Sequence, residues 1–177
     1  FKKEALPELA KRFPNVSFQF EGEQADQAES VREIGIGFLF ALIAMYVLMA
    51  IPLRSYLQPL IVMSAIPFGL IGAVWGHVVM GMDLTIMSMF GIVALTGVVV
   101  NDSLVMVDFV NRARSSGLQL AEAIREAGVA RFRPIILTSL TTFLGLTPLL
   151  LEESVQAQFL IPMAVSLGFG VMFATVI

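Results

Sequence analysis

Of the chain's 177 residues only 14% are charged, little more than half the roughly 25% of an ordinary soluble domain, and the mean hydropathy is +0.85. That make-up excludes a soluble globular domain and puts the chain in the membrane class, while the net charge of −3 says less than where the charges fall. With no cysteine, disulfides and Cys-based metal sites are excluded as well.

Residues 1–31 are polar and soluble in character. Lys2 to Arg12 predicts a short helix that stops before Pro14, and Val16-Ser-Phe-Gln-Phe20 alternates like a strand. Residues 21–33 read as an acidic helical lead-in to the membrane. About thirty residues cannot build their own core, so residues 1–31 are expected to be a small α+β remnant, the end of a larger extramembrane domain. The start at Phe1-Lys-Lys-Glu has no signal-peptide pattern. Without an initiator Met, and ending inside an apolar run at Ile177, the sequence is expected to be an internal piece of a longer protein.

Residues 32–177 are expected to form an all-α polytopic bundle. Five apolar stretches, about 34–53, 57–80, 85–110, 134–151 and 158–177, approach the roughly 20 residues that cross a bilayer as a helix. Orientation follows from the connections. Arg54 lies between the first two stretches, and Arg112, Arg114, Arg125, Arg131 and Arg133 between the third and fourth, whereas the connections around Asp83 and Glu152-Glu153 have no basic residue. The positive-inside rule therefore puts the arginine-bearing connections in the cytoplasm and the N-terminal segment outside. Within the long cytoplasmic connection, residues 118–127 place Leu120, Ile124 and Ala127 on one face, with Gly128 available as a C-cap. This predicts a short amphipathic helix on the inner membrane surface.

In the second stretch Gly69, Gly72 and Gly76 recur at helical spacing, as on helix faces that approach closely in lipid, and Pro67 is expected to kink it. His77, the only histidine, falls near the outer end and reads as a packed or interfacial residue.

The third stretch carries the residues that need explaining: Gly97-Val-Val-Val-Asn-Asp-Ser-Leu-Val-Met-Val-Asp108. A carboxylate at a bilayer centre costs about 2.5–3.5 kcal/mol on insertion scales, and such residues generally face a bundle interior or a wet cavity and serve ion movement. Asp102, with Asn101 beside it, is therefore the candidate ion-coupling residue, and Gly97 removes bulk one turn earlier so that a neighbouring helix or water can approach. Asp108, closer to the cytoplasmic end, can be explained by pairing with an arginine. In the fourth stretch Arg131, Ile135, Thr138, Thr142 and Gly145 share a face, which makes Arg131 and Thr138 the candidate partners. A carboxylate held between apolar burial and an always-charged arginine can take and release protons near neutral pH. The sequence contains no Walker lysine loop, Cys/His metal spacing or Ser-His-Asp arrangement. The expectation is an ion gradient as energy source, no bound cofactor, no enzyme activity and no nucleic-acid partner.

Four motifs, Leu53-Arg-Ser-Tyr-Leu-Gln-Pro59, Ala65-Ile-Pro-Phe-Gly-Leu-Ile-Gly-Ala73, the Gly97 to Phe109 run and Arg131-Phe-Arg-Pro-Ile-Ile-Leu-Thr138, resemble in order the C-terminal transmembrane half of resistance-nodulation-division (RND) efflux permeases of the hydrophobe/amphiphile, or multidrug, branch. The resemblance implies a bacterial inner-membrane proton/drug antiporter of twelve spans, these being the last five, with residues 1–31 ending its periplasmic porter domain. It further implies a homotrimer, the N-terminal half of the same permease as partner, and a periplasmic adaptor with an outer-membrane channel. Asn101 falls where well-known drug pumps carry a relay lysine, Asp102 on an asparagine, and Arg131 and Thr138 on the relay's arginine and threonine. Without the lysine the ion-pair switch must work differently, with Arg131 as cation and Asp102 sharing the proton. The alternatives are an RND-type metal or lipid exporter, or a non-transporting membrane sensor or scaffold with the same bundle.

Overall fold

The computed structural model describes residues 23–177, and these are helical throughout apart from short connections. The helix and strand expected within residues 2–20, and with them the α+β remnant, lie outside the described residues. By its contacts the chain divides into two units, Phe1–Glu33 and Ile34–Ile177.

Among the described residues seven helices follow one another: α1 Glu23–Leu53, α2 Gln58–Met63, α3 Ile66–Met80, α4 Ile86–Ser115, α5 Leu120–Leu150, α6 Val155–Gln158 and α7 Ile161–Val176. Four stretches among the described residues are long and apolar enough to cross a membrane, with α2 and α3 counted as one (Gln58–Met80), and α7 is a shorter apolar helix. The result is a polytopic helical membrane bundle.

Local chemistry sets the helix ends. Gly81 closes α3 in the left-handed region, φ 64°, where a side chain would be strained. Thr85 opens α4 with a reciprocal capping box to Ser88, which satisfies two of the amides that a helix start leaves open. In the second span Pro67 cannot donate to the carbonyl four residues back. The chain there turns at Ser64 and Ala65, and α3 starts anew with the proline in its first turn, so the expected kink is a break between two helices.

The predicted surface helix over residues 118–127 is not a separate element. Instead α5 runs without interruption from Leu120 through Gly128 and Pro134 to Leu150. Gly128 does not take the positive φ of a C-cap, a conformation found among the described glycines at Gly81 and Gly117. Pro134 lies inside α5 without ending it, and Thr138 Oγ1 donates to the Pro134 carbonyl at 2.9 Å. The true punctuation is Gly117, φ 99°, between α4 and α5. At 1.5 Å per residue α4 and α5 are each about 45 Å long, beyond the roughly 30 Å hydrocarbon core. They form a helical hairpin closed at its arginine-bearing end. Its inward residues on α5 are Ala123 and Ala127, both fully buried, whereas Leu120 and Ile124 of the predicted apolar face are half exposed.

α3, α4 and α7 form the tight centre. A Cβ on Gly76 would stand 2.5 Å from Phe169 Cβ, one on Gly91 2.5 Å from the Met163 carbonyl, and one on Gly72 would strike Phe173. Gly69 lies against Leu95 and Val99, and Ala73, Leu95, Val99 and Val171 form a buried cluster. A second cluster joins Met49 and Leu53 of α1 to Val62, Ile66 and Val100. At the arginine-bearing end Gln58 and Asn111 exchange amide hydrogen bonds of 3.1 and 2.7 Å, fixing the start of α2 against α4.

Candidate functional site

Asp102 lies sixteen residues into α4, about 24 Å from the helix start. It lines a cavity of about 420 Å³ together with Ser64, Ala65 and Phe68 at the α2–α3 break, Ser103 and Val99 on its own helix, Ile135 of α5 and Thr175 of α7. The walls are mostly apolar, with three hydroxyls among them. Thr175 Oγ1 lies 2.6 Å from Ser139 Oγ and donates to the Val171 carbonyl at 2.7 Å, and Ser64 Oγ donates to the Ile61 carbonyl at 2.6 Å. Among the described residues Asp102 has no ion pair.

Arg131 stands elsewhere. It lines a second cavity, of about 380 Å³, with Asp108, Phe109, Arg112 and Glu126. Its guanidinium carbon is 5.6 Å from the centre of the Phe109 ring, a cation–π contact, and its Nε is buried without a hydrogen-bond partner among the described residues. Asp108 pairs with Arg112 at 2.5 Å, one turn along the same helix. Thr138 is exposed, its hydroxyl turned back on its own helix, and Asn101 is exposed beside Asp102. Of the four residues singled out for a relay, Asp102 thus faces one cavity, Arg131 another, and Asn101 and Thr138 the surface of the described bundle.

The packing glycines divide similarly. Gly69, Gly72 and Gly76 meet neighbouring helices, whereas a Cβ on Gly97 would meet nothing within 4 Å among the described residues. The space that Gly97 leaves one turn before Asn101 is not filled by α3, α5 or α7.

Two polar features went unrecognised in the sequence. Ser103 and Thr175 belong to the Asp102 cavity, and only the residue next to Asp102 hinted at either. The other is a buried set at the arginine-free end, where His77, Ser88 and Ser166 join α3, α4 and α7. The residues are eleven and seventy-eight positions apart, and no local pattern links them.

With this geometry in place, comparison with known proteins decides the family. The model of the AcrB/AcrD/AcrF family matches residues 3–177. The chain belongs to that family. Its similarity extends to the swarming motility protein SwrC of Bacillus subtilis (strain 168), 34% identical over 157 residues, which is 89% of this chain and 14% of that protein. Among solved structures it is similar to the crystal structure of a heavy metal efflux pump, with a TM-score of 0.79, 26% identity, and coverage of 97% of this chain and 18% of the other. The chain therefore spans less than a fifth of either relative, and it is a transmembrane portion of an RND permease, a transporter family.

Proposed function

We propose that the chain is the C-terminal membrane half of a proton-driven antiporter that exports hydrophobic or amphiphilic compounds, and that Asp102 takes part in proton coupling. The observation that carries this is the Asp102 carboxylate in a largely apolar intramembrane cavity, with hydroxyls nearby and no ion pair among the described residues. Such a group is costly to keep in a membrane unless it handles an ion. The nearby hydroxyls of Ser103 and Thr175, with water between them, supply a relay. Asn101 and Thr138, on the exposed faces of α4 and α5, would meet the N-terminal half of the same permease, whose fourth span, by the resemblance, carries two aspartates of the relay. Arg131 would act from the neighbouring cavity, holding positive charge against Phe109 near Asp108 and Glu126.

The same reading puts the arginine-bearing end in the cytoplasm of a bacterial inner membrane and the N-terminal segment in the periplasm. It assigns a homotrimer working with a periplasmic adaptor and an outer-membrane channel, and no cofactor beyond the proton gradient. Metal export is the second reading, favoured by the heavy metal efflux pump among the structural relatives. Among the described residues no three His, Cys, Asp or Glu side chains come together, so a metal cargo would have to be gripped elsewhere in the protein.

The test uses the full-length permease in proteoliposomes with an imposed pH gradient. Asp102→Asn should keep expression and assembly and lose proton-driven dye efflux by tenfold or more, while an uncoupler abolishes wild-type efflux. Wild-type coupling in the variant would reduce Asp102 to a structural residue. Uncoupler-insensitive dye movement by the wild type would overturn the antiporter reading. Efflux of a divalent metal without any dye efflux would replace the cargo.

A further inference from the structure

At the arginine-bearing end the connection between α1 and α2 folds back against α1. Tyr46, two turns before the end of α1, donates its hydroxyl to the Tyr56 carbonyl at 3.1 Å, and Leu53 and Pro59, on either side of the connection, are buried. Between this elbow and α1 lies an open cavity of about 460 Å³. α1 supplies its apolar wall, a stripe of Val47, Ala50 and Ile51 within about 10 Å of the helix end. The elbow supplies the polar lining, Arg54, Ser55 and Tyr56.

The backbone at Arg54 is unusual. Its φ of 47° makes it the one residue other than glycine in the left-handed region among the described residues, a conformation that crowds an L side chain and suits glycine. Its amide donates to the Ile51 carbonyl at 3.4 Å, in a helix-ending turn that glycine makes more easily. A cation needed only to orient the chain has no reason to stand at this one position, and five more arginines lie within residues 112–133. An arginine held where the backbone resists it points to a use for its side chain there.

The neighbouring groups fit a phosphate with a hydrocarbon chain attached. Arg54 is exposed and has no ion pair among the described residues, and no acid lines the cavity. Ser55 Oγ accepts the amides of Leu57 and Gln58 at 3.3 and 3.4 Å. Its own hydrogen has no acceptor among the described residues and is free to donate. A guanidinium and a hydroxyl on adjacent residues offer charge-assisted hydrogen bonds to phosphate oxygens. Tyrosines such as Tyr46 and Tyr56 suit headgroup depth, and Val47 and Ile51 are exposed, a surface for an acyl chain. A soluble anion would use the polar lining and leave this apolar stripe in water. Gln58 and Asn111 pair across α2 and α4, so the elbow shares its end of the bundle with the arginines that follow α4. Such a cationic end draws anionic headgroups.

We infer that the α1–α2 elbow is a binding site for one anionic phospholipid, with its phosphate on Arg54 and Ser55 and an acyl chain along Val47, Ala50 and Ile51. The site is separate from the Asp102 cavity and holds whether or not Asp102 moves protons. It is joined to the bundle through Leu53, which packs with Val62, Ile66 and Val100 in the buried cluster that ties α1 to its neighbours. A lipid seated at the elbow therefore braces α1 where that helix meets the rest of the fold.

The experiment titrates the delipidated full-length permease in detergent with phosphatidylglycerol, phosphatidylcholine or glycerol phosphate. Bound lipid is counted by native mass spectrometry and the thermal midpoint is followed in parallel. Wild type should bind phosphatidylglycerol in preference to phosphatidylcholine, and glycerol phosphate should not compete. Arg54→Gly and Arg54→Asn both suit the left-handed backbone. They should keep the lipid-free midpoint and weaken the tightest phosphatidylglycerol binding by about fivefold or more, the effect of one cation at an anionic surface, while Arg54→Lys keeps most of it. Arg125→Gln removes the same charge from an exposed position of α5 and should change the affinity less than twofold. Undiminished binding in both Arg54→Gly and Arg54→Asn overturns the site. Equal losses in Arg54→Gly and Arg125→Gln would mean diffuse attraction and overturn it as well. Competition by glycerol phosphate would replace the lipid by a soluble anion, and equal binding of phosphatidylcholine would remove the role of charge; either result overturns the inference.

Discussion

The start and the middle of α4 handle polarity in opposite ways. Near its start, His77, Ser88, Thr85 and Ser166 pair with one another inside close packing, where Gly72, Gly76 and Gly91 admit the backbone of α7 and its phenylalanines. Farther along, Asp102 faces a cavity of about 420 Å³ without an ion pair among the described residues, and Asn101 is exposed. The contrast is between a region whose polar groups hold helices together and one whose polar groups are left to interact with something else. An unpaired polar group in a membrane costs free energy. Leaving one there is therefore informative, whereas satisfying one is ordinary.

The strongest way to break this comparison is to overpack the closed end. Gly72→Leu would drive a side chain into Phe173 and the Phe169 carbonyl, the latter 2.9 Å from the position of the first added carbon. The loss in stability should be about 3 kcal/mol or more, at the top of the usual overpacking range, read as a large fall in the thermal midpoint of the detergent-solubilised permease. A midpoint within a degree or two of wild type would mean that α3 and α7 are free to separate, and the closed end would lose its claim to rigidity.

How far the sequence revealed these regions depends on the range of the interactions. Membrane spans, an irregularity at Pro67 (expected as a kink, found as a break) and the close approach at Gly72 and Gly76 were legible, because each is a pattern within one stretch of sequence. The continuity of α5 was misread, since Gly128 and Pro134 look like stop signals. Neither is decisive when the residues between them continue the helix and its alanines can bury. The His77 cluster was not legible, because Ser166 reaches Ser88 across seventy-eight positions. Gly91 drew no notice either, although it lets Met163 and Ser166 close on α4. Asp102 stood out from composition alone. Its separation from Arg131 did not, because a shared face on α5 says nothing about which part of α4 that face meets.

A smaller effect separates the two acids of α4. Asp108 pairs with Arg112, and both side chains are substantially exposed, 40% and 80%. An exposed pair one helical turn apart is worth about 0–1 kcal/mol, and Asp108 has the partner that Asp102 lacks. Asp108→Asn should therefore cost less than about 1 kcal/mol in stability and leave proton-driven efflux within twofold of wild type, in contrast to the tenfold loss expected for Asp102→Asn. Equal losses in the two variants would mean that coupling depends on the charge of α4 as a whole, and the cavity around Asp102 would no longer distinguish it.

The smallest expected change in stability probes the open side most directly. Within the described bundle a Cβ on Gly97 meets nothing, and alanine is a better helix former than glycine by about 0.8–1 kcal/mol in an exposed interior position. If these helices alone determined the outcome, Gly97→Ala would leave the thermal midpoint unchanged or slightly raised and transport intact. In the full-length permease a different pattern is expected: an unchanged or raised midpoint with a several-fold loss of proton-driven efflux. That combination would mean that the α4 face carrying Gly97 and Asn101 is approached closely during transport by the N-terminal half, with the glycine kept for clearance against the grain of helix propensity. Wild-type efflux in Gly97→Ala would show the face to be lipid-facing filler, and the unpaired polarity on this side of α4 would then narrow to Asp102 and its cavity.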